Sequence, residues 1–113
     1  MYSNIVDLAL SVLPPPLEDI LVKKLDVPHK GEYGWKKLGK AFKVDSDDLT
    51  YLETAYQRSV ESPTKELLEI LDKIQRRTVG EVLNKLKSSH VNRPDVARLI
   101  RQKWQEIKKY AQA

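Results

Sequence analysis

Apolar residues recur along most of this chain at intervals of three and four residues, which is the period of an α-helix. No segment alternates apolar and polar residues over a useful length, and no Asn-Gly or Asp-Gly pair marks a hairpin turn. The pattern divides into six helices of about ten residues joined by short loops. The predicted fold class is therefore all-α, a six-helix antiparallel bundle.

The first third of the chain contains the strongest breaks in this pattern. A short helix is expected in residues 3–12, and the three prolines at 14–16 then favour an extended segment. The first long helix is predicted over residues 17–25, where leucines and isoleucine fall at helical spacing. Residues 26–32 contain both proline and glycine and are predicted to form a loop.

The second helix is the stretch "GWKKLGKAF", which combines a tryptophan with a cluster of lysines. Trp35 could stack on a ligand such as a nucleic-acid base, or it could fill the core. Trp35, Leu38 and Phe42 follow one another at helical spacing, so they share one side of the helix. The lysines occupy the other side, at Lys36, Lys37, Lys40 and Lys43. This separation favours the core, and we predict that Trp35 is buried.

Three of the later helices begin with recognisable capping sequences. Ser46 is the expected N-cap of helix 3, which runs to about residue 56. The pair Ser62-Pro63 predicts the start of helix 4, with proline at the first helical position. Thr78 and Glu81 have the spacing of a capping box at the start of helix 5.

Helix 6 opens at residues 92–95 and is expected to extend past Trp104, which either packs back on the domain or faces a partner. One leucine from each of the last three helices is predicted to lie in the core. These are Leu68, Leu83 and Leu99.

Composition excludes several classes of function. The chain has 113 residues, 41% of them hydrophobic and 32% charged, which suits one globular domain. It has no cysteine, and its only imidazoles, His29 and His90, lie far apart without carboxylates at ligand spacing. We therefore expect no metal site and no cofactor. The absence of a long apolar run and of a basic leader predicts a soluble, cytoplasmic protein.

No catalytic motif stands out either. The four glycines are dispersed, so no phosphate-binding loop is present. The acidic cluster at residues 45–48 superficially resembles a calcium loop, but the central glycine is missing and Tyr56 occupies the position of the required glutamate. An acidic first helical turn explains the cluster better. No histidine is spaced to suggest a nucleophile–base pair, and we expect no enzymatic activity.

The charge is distributed unevenly. Residues 1–72 hold 9 Lys and Arg against 13 Asp and Glu, a net charge of −4, whereas residues 73–113 hold 11 against 3, a net charge of +8. The charges could be ordinary solvated helix faces. A chain with one acidic and one basic part could also bind other copies of its own kind head to tail.

Four stretches in order, "GWKKLGKAF", "SPTKELLEIL", "TVGEVLNKL" and "RPDVARLI", resemble the death domain. The Ser-Pro-Thr and Thr-Val-Gly helix starts are most similar to the interleukin-1-receptor-associated kinases and their insect relative Pelle. The tryptophan common in helix 4 of many members is absent, since Ile70, Leu71 and Asp72 occupy that neighbourhood. The resemblance implies an N-terminal extension at 1–16, a death domain at 17–101 and a C-terminal helical extension at 102–113.

The resemblance further implies a non-catalytic signalling adaptor that binds other death domains, either copies of itself or different proteins, as in innate-immune receptor–kinase pathways. Members of these pathways stack into helical oligomers that bring kinase domains together. Contact residues carried over by position lie on helices 1 to 3, before helix 4, and at the helix 4–5 corner. They are Glu18, Asp19, Lys23, Lys36, Lys40, Asp47, Asp48, Arg58, Glu61, Gln75, Arg76 and Arg77. Arg76 and Arg77 are the strongest candidates, because two arginines in a short corner can fork onto carboxylates.

A basic helical nucleic-acid-binding domain is the alternative. The isoelectric point of about 9.3 and the basic stretch 93–109 would suit phosphate contacts. Helices 3 and 4 are acidic, however, and no recognition-helix pattern of Arg, Asn or Gln is present. Nucleic acid and membrane insertion are therefore not expected.

Overall fold

The computed structural model describes the backbone of residues 5–58 and 62–112, and the side chains of all of these except 56–58 and 111–112. The described residues form six α-helices packed around one core, which confirms the predicted all-α six-helix bundle. The helices are α1 (Pro15–Leu25), α2 (Gly34–Ala41), α3 (Ser46–Arg58), α4 (Pro63–Lys73), α5 (Val79–Lys87) and α6 (Pro94–Gln112). No helix in these ranges is long and apolar enough to cross a bilayer.

The segment before α1 differs from the single short helix that was predicted. It forms two 3₁₀ turns, Ile5–Asp7 and Leu10–Val12. Helix α1 then begins two residues earlier than expected, at Pro15, because proline lacks only an N–H that the first turn of a helix leaves unpaired anyway.

The predicted loop between α1 and α2 contains a minimal hairpin. Strand β1 (Pro28–His29) pairs antiparallel with β2 (Glu32–Tyr33). The two residues between them, Lys30 and Gly31, both have positive φ, as a tight hairpin turn requires. The sequence lacks the usual Asn-Gly or Asp-Gly pair, so the prediction missed this turn.

The core confirms the role assigned to Trp35. Its side chain is 0% exposed and belongs to the hydrophobic core. Leu68 and Leu83 are buried as predicted, at 8% and 1% exposure. The prediction for Leu99 was wrong: it is half-buried, and Ala97 lies in the core instead.

The continuation of α6 explains the error at Leu99. Ala97, Ile100 and Trp104 form an apolar stripe at helical spacing along the longer helix, and Leu99 lies at its edge. Trp104 packs back against the core, which decides between the two alternatives left open for it.

Two of the three predicted caps are confirmed. The Ser62 hydroxyl accepts a hydrogen bond from the Lys65 backbone N–H, and Thr78 and Glu81 form the reciprocal capping box. The third was wrong, because Ser46 is already helical and Asp45 caps α3, its carboxylate accepting from the Asp47 N–H at 2.8 Å. The two positions are adjacent and both residue types are good caps, so the sequence alone did not distinguish them.

Candidate protein-interaction surface

The corner between α4 and α5 carries the residues predicted most strongly as contacts. The Gln75 N–H donates to the Ile70 carbonyl at 3.3 Å, and the Arg77 N–H donates to the Leu71 carbonyl at 2.9 Å. Between them Arg76 adopts a left-handed conformation, with φ of 56°. These bonds satisfy carbonyls that the end of a helix leaves unpaired, and they turn the chain sharply.

Arg76 and Arg77 have different environments although they are adjacent. The Arg76 side chain is exposed and makes no hydrogen bond or ion pair with any residue that the structure describes. Arg77 is half-buried, donates from Nε to Gln75 Oε1 at 2.9 Å, and forms an ion pair with Glu81 at 2.8 Å. Its guanidinium also lies over the Phe42 ring, 5.1 Å from the centroid. Arg77 is thus paired with other residues of the domain, whereas Arg76 is available to a partner.

Gln75, also predicted as a contact, likewise takes part in the hydrogen bonds that hold the corner. Its Nε2 donates to the Phe42 carbonyl at 3.1 Å, so it joins the corner to the end of α2. Glu81 belongs to this group because it receives Arg77 and the Thr78 backbone N–H. The hydrogen bond from Arg77 is the main reason that the Glu81 pKa is lowered; burial opposes the shift, and the Thr78 N–H assists it.

The predicted contacts on α2 and α3 also include both a residue paired within the domain and residues that are exposed. Lys36 forms an ion pair with Glu53 at 2.8 Å, which joins α2 to α3. Lys40 is exposed. Asp47 and Asp48 are exposed at the start of α3, and neither carboxylate is in an ion pair within the described part of the chain.

The other predicted contacts lie away from the corner or cannot be placed. On α1, Glu18 is half-buried, and Asp19 and Lys23 are exposed. No polar contact among the described side chains joins these three to the corner. Arg58 ends α3 but its side chain lies outside the described residues, and Glu61 lies outside them altogether.

A basic groove beside the corner was not predicted. It has a volume of about 480 Å³ and lies between the end of α2 and α5. Lys43, Arg77 and Lys85 line it against a single acid, Glu81, and the Lys85 ammonium is 5.8 Å from the centre of the Phe42 ring. Lys43 and Lys85 were missed as site residues because they are 42 positions apart in sequence; the spacing of Lys85 four residues after Glu81 was the only signal that could have pointed to them.

Opposite charges therefore lie on neighbouring parts of the surface. The cations of the corner and groove lie beside the end of α2, and the acidic turn that starts α3 follows after the short connection at 42–45. Such a surface can pair a basic patch on one molecule with an acidic patch on another.

Comparison with known proteins agrees with this fold. The death-domain family model matches residues 18–104, well over half of the chain. Searches of curated proteins and of solved structures give no significant match. Death domains are non-catalytic modules that bind other proteins. The chain belongs to the death-domain family.

Proposed function

We propose that this chain is a cytoplasmic signalling adaptor module that assembles with other death domains, copies of itself included, through charge-complementary contacts. The resemblance of its helix 4 and helix 5 starts to interleukin-1-receptor-associated kinases and Pelle supports a role in an innate-immune receptor–kinase pathway. Family membership supports protein binding in general, and the distribution of unpaired charges supports the particular surface.

The observation that carries the proposal is the exposed Arg76, which has no partner among the described residues and lies at a tightly held corner. The hydrogen bonds of the Gln75 and Arg77 N–H groups hold its backbone in the left-handed conformation, so the position of its Cα is fixed. Asp47 and Asp48 offer carboxylates that are equally free of ion pairs among the described residues. An arginine fork suits such carboxylates.

The contact we propose is heterologous: the corner of one domain meets the start of α3 on the next. Because the two surfaces differ, the bound pair keeps one free corner and one free α3 start, and the assembly can continue beyond a dimer. The remaining predicted contacts, on α1, α2 and before α4, would then serve other faces of the same assembly. Among these, Lys36 would have to exchange its ion pair with Glu53 for an intermolecular one.

Charge reversal at Arg76 tests the proposal. Arg76→Glu should leave the fold intact and weaken assembly with a death-domain partner at least tenfold, because like charges across an interface cost several kcal/mol. Light scattering after size exclusion, together with titration calorimetry, would measure this. Arg98→Glu is the matched control, since Arg98 is also exposed, makes no described ion pair, and lies on α6 away from the corner.

A compensating variant identifies the partner patch. Asp47→Arg with Asp48→Arg, combined with Arg76→Glu in one chain, should recover part of the self-assembly that Arg76→Glu alone loses. If Arg76→Glu assembles as well as the wild type at low salt, Arg76 is only a helix-end charge and the proposed surface is wrong.

Nucleic-acid binding is the second candidate, and one feature of α6 favours it. Arg98 and Arg101 are exposed beside a groove of about 380 Å³ that Lys87 also lines, and the lining contains no acidic residue. Duplex binding that weakens steeply with salt and is lost in Arg98→Glu with Arg101→Glu would support this candidate. Absence of binding in dilute buffer would reject it.

A further inference from the structure

The residues before α1 form a strap across the two helices that flank the contact corner. We define the N-terminal strap as residues 5–12, which precede the region matched by the family model. Its first turn packs against α5 and its second against α4. Ile5, Leu8 and Leu10 are buried in the common core, so the strap is part of the folded domain.

Backbone contacts fix the strap to the start of α5. The Val79 N–H donates to the Leu8 carbonyl at 2.9 Å, and Ala9 and Thr78 form an isolated antiparallel bridge. Val79 is the first residue of α5, and its N–H has no partner within that helix. The strap supplies the missing acceptor, three residues after Arg76.

Gly80 shows how closely the strap approaches. A Cβ added at Gly80 would lie 2.7 Å from the Val6 Cβ, 2.8 Å from its carbonyl oxygen and 2.9 Å from its Cα. Two of these three atoms belong to the backbone, so a side-chain rotation cannot relieve the overlap. Glycine is a poor helix former, and its presence in the first turn of α5 is explained by the strap.

We propose that the N-terminal strap positions the contact corner, so that Arg76 has its binding geometry only while the strap is seated. This rests on the proposed function for its consequence in assembly. The corner joins two helices across a left-handed residue, a conformation that persists only where the surroundings hold it. The strap packs on both helices and binds the backbone at one end of the corner. Unseating it frees the start of α5 and lets Arg76 move.

Gly80→Ala tests the proposal directly. Alanine favours a helix more than glycine does, so any loss cannot come from the propensity of α5 itself. Amide hydrogen exchange at Val79 reports strap seating, and exchange at Arg77 reports the corner. We expect at least tenfold faster exchange at both amides and at least tenfold weaker assembly.

Two controls separate positioning from general destabilisation. Asn84→Ala changes an exposed residue on the same helix and should leave hydrogen exchange at both amides unchanged. Val96→Ala shortens a core residue of α6, whose main packing partners are α1 and α5. It should lower the melting temperature, yet exchange at Arg77 and assembly, measured well below that temperature, should match the wild type.

A reversible cross-link tests the effect of fixing the strap in place, where Gly80→Ala displaces it. The chain has no cysteine, and bridged residues on antiparallel segments have a Cα separation that a disulfide can span. The double variant Ala9→Cys with Thr78→Cys loses the Thr78 cap in both its oxidised and its reduced form. The two forms differ only in the disulfide, so the reduced form is the control for the oxidised one. The oxidised form should protect the Arg77 amide more strongly and assemble more tightly.

The outcomes are distinguishable. Faster exchange at Val79 without change at Arg77 or in assembly would overturn the proposal, as would unchanged exchange at Val79 in Gly80→Ala. If Gly80→Ala does not fold, equal exchange at Arg77 in the oxidised and reduced cross-linked forms would overturn it. If the wild type binds no death domain, the proposed function fails, and exchange at Arg77 still decides whether the strap holds the corner.

Discussion

At the scale of single residues, the same side-chain type serves different purposes in adjacent positions. Arg77 binds Gln75 and Glu81 and lies over Phe42, whereas Arg76 has no described partner. Reversing both arginines together would therefore mix a structural effect with an interfacial one. Only Arg76 gives a clean test of assembly.

Truncating Trp35 should be among the most damaging single changes. Trp35→Ala removes a side chain that is 0% exposed and should lower the free energy of unfolding by about 3–5 kcal/mol. Trp35→Phe should cost less, because it leaves a smaller cavity and removes an indole N–H that has no partner among the described residues. Urea unfolding of the two variants measures the difference. Near-wild-type stability of the alanine variant would place Trp35 at the surface.

Leucines of α5 and α6 should differ in their sensitivity. Leu83→Ala should destabilise by about 2–5 kcal/mol because Leu83 is fully enclosed. Leu99→Ala should cost clearly less, since that side chain is half-buried at the edge of the α6 stripe. Equal losses in thermal denaturation would show that α6 is rotated from the orientation described.

The Glu81 carboxyl should make stability depend on pH in the acid range. Its pKa is lowered below the ordinary value of 4.5, chiefly by the hydrogen bond from Arg77. The unfolded chain therefore takes up the proton first as pH falls. The stabilisation is fully present above about pH 4.5 and is lost as pH falls through the lowered pKa.

Urea midpoints at several pH values between 6 and 3 measure this dependence. Glu81→Gln should be less stable than the wild type at pH 6, and its stability should fall less than that of the wild type on acidification. Glu66→Gln, a change at an exposed glutamate outside the corner, is the control. If the urea midpoints of the wild type and Glu81→Gln fell in parallel with pH, Glu81 would not be the source of the pH dependence.

At the scale of elements, specific hydrogen bonds at the helix ends fix where the helices begin. Helix α5 has a capping box, helix α4 a serine cap with proline, and helix α3 an aspartate cap. Arg93 ties the start of α6 to α1: it is 6% exposed, binds the Asp95 carboxylate at 3.1 Å, and donates to the Lys24 carbonyl at 3.4 Å. Each such contact fixes where a helix begins and how its neighbour approaches.

The cap of α3 gives a prediction at this scale. Asp45→Ala should destabilise the domain by about 0.5–2 kcal/mol, because it removes the acceptor for the Asp47 N–H. Ser46→Ala is the matched control and should have little effect, since Ser46 is exposed within the first turn. Chemical denaturation of both variants measures the pair. A larger loss of stability in Ser46→Ala than in Asp45→Ala would show that Ser46 is the cap.

At the scale of the whole molecule, the core and the surface should respond differently to salt. Burial of apolar side chains holds the fold, whereas the proposed assembly depends on exposed charges. Salt screens exposed charges within a Debye length of about 10 Å at 0.1 M and about 3 Å at 1 M. Assembly should therefore weaken between low and high salt while the melting temperature changes little.

Light scattering and thermal denaturation over the same salt series check this. Arg76→Glu should show a shallower salt dependence than the wild type, because it has lost an attractive pair. Assembly that is unchanged or strengthened by salt would indicate an apolar contact in place of the charged one.

The sequence by itself determined the fold class, most helix starts and the burial of Trp35. These features depend on residues within one or two helical turns of each other, and the apolar spacing of "GWKKLGKAF" records them directly. The resemblance to death domains came from four such stretches in order, and the family model confirms it.

The tertiary structure decided which charges are free and what the first residues do. Arg76 and Arg77 are equivalent in the sequence, and only the positions of Phe42 and Glu81 give one of them partners within the domain. The seating of the strap on Gly80 likewise joins residues more than seventy positions apart. Such contacts depend on how distant segments meet, and local patterns of polarity do not encode which segments those are.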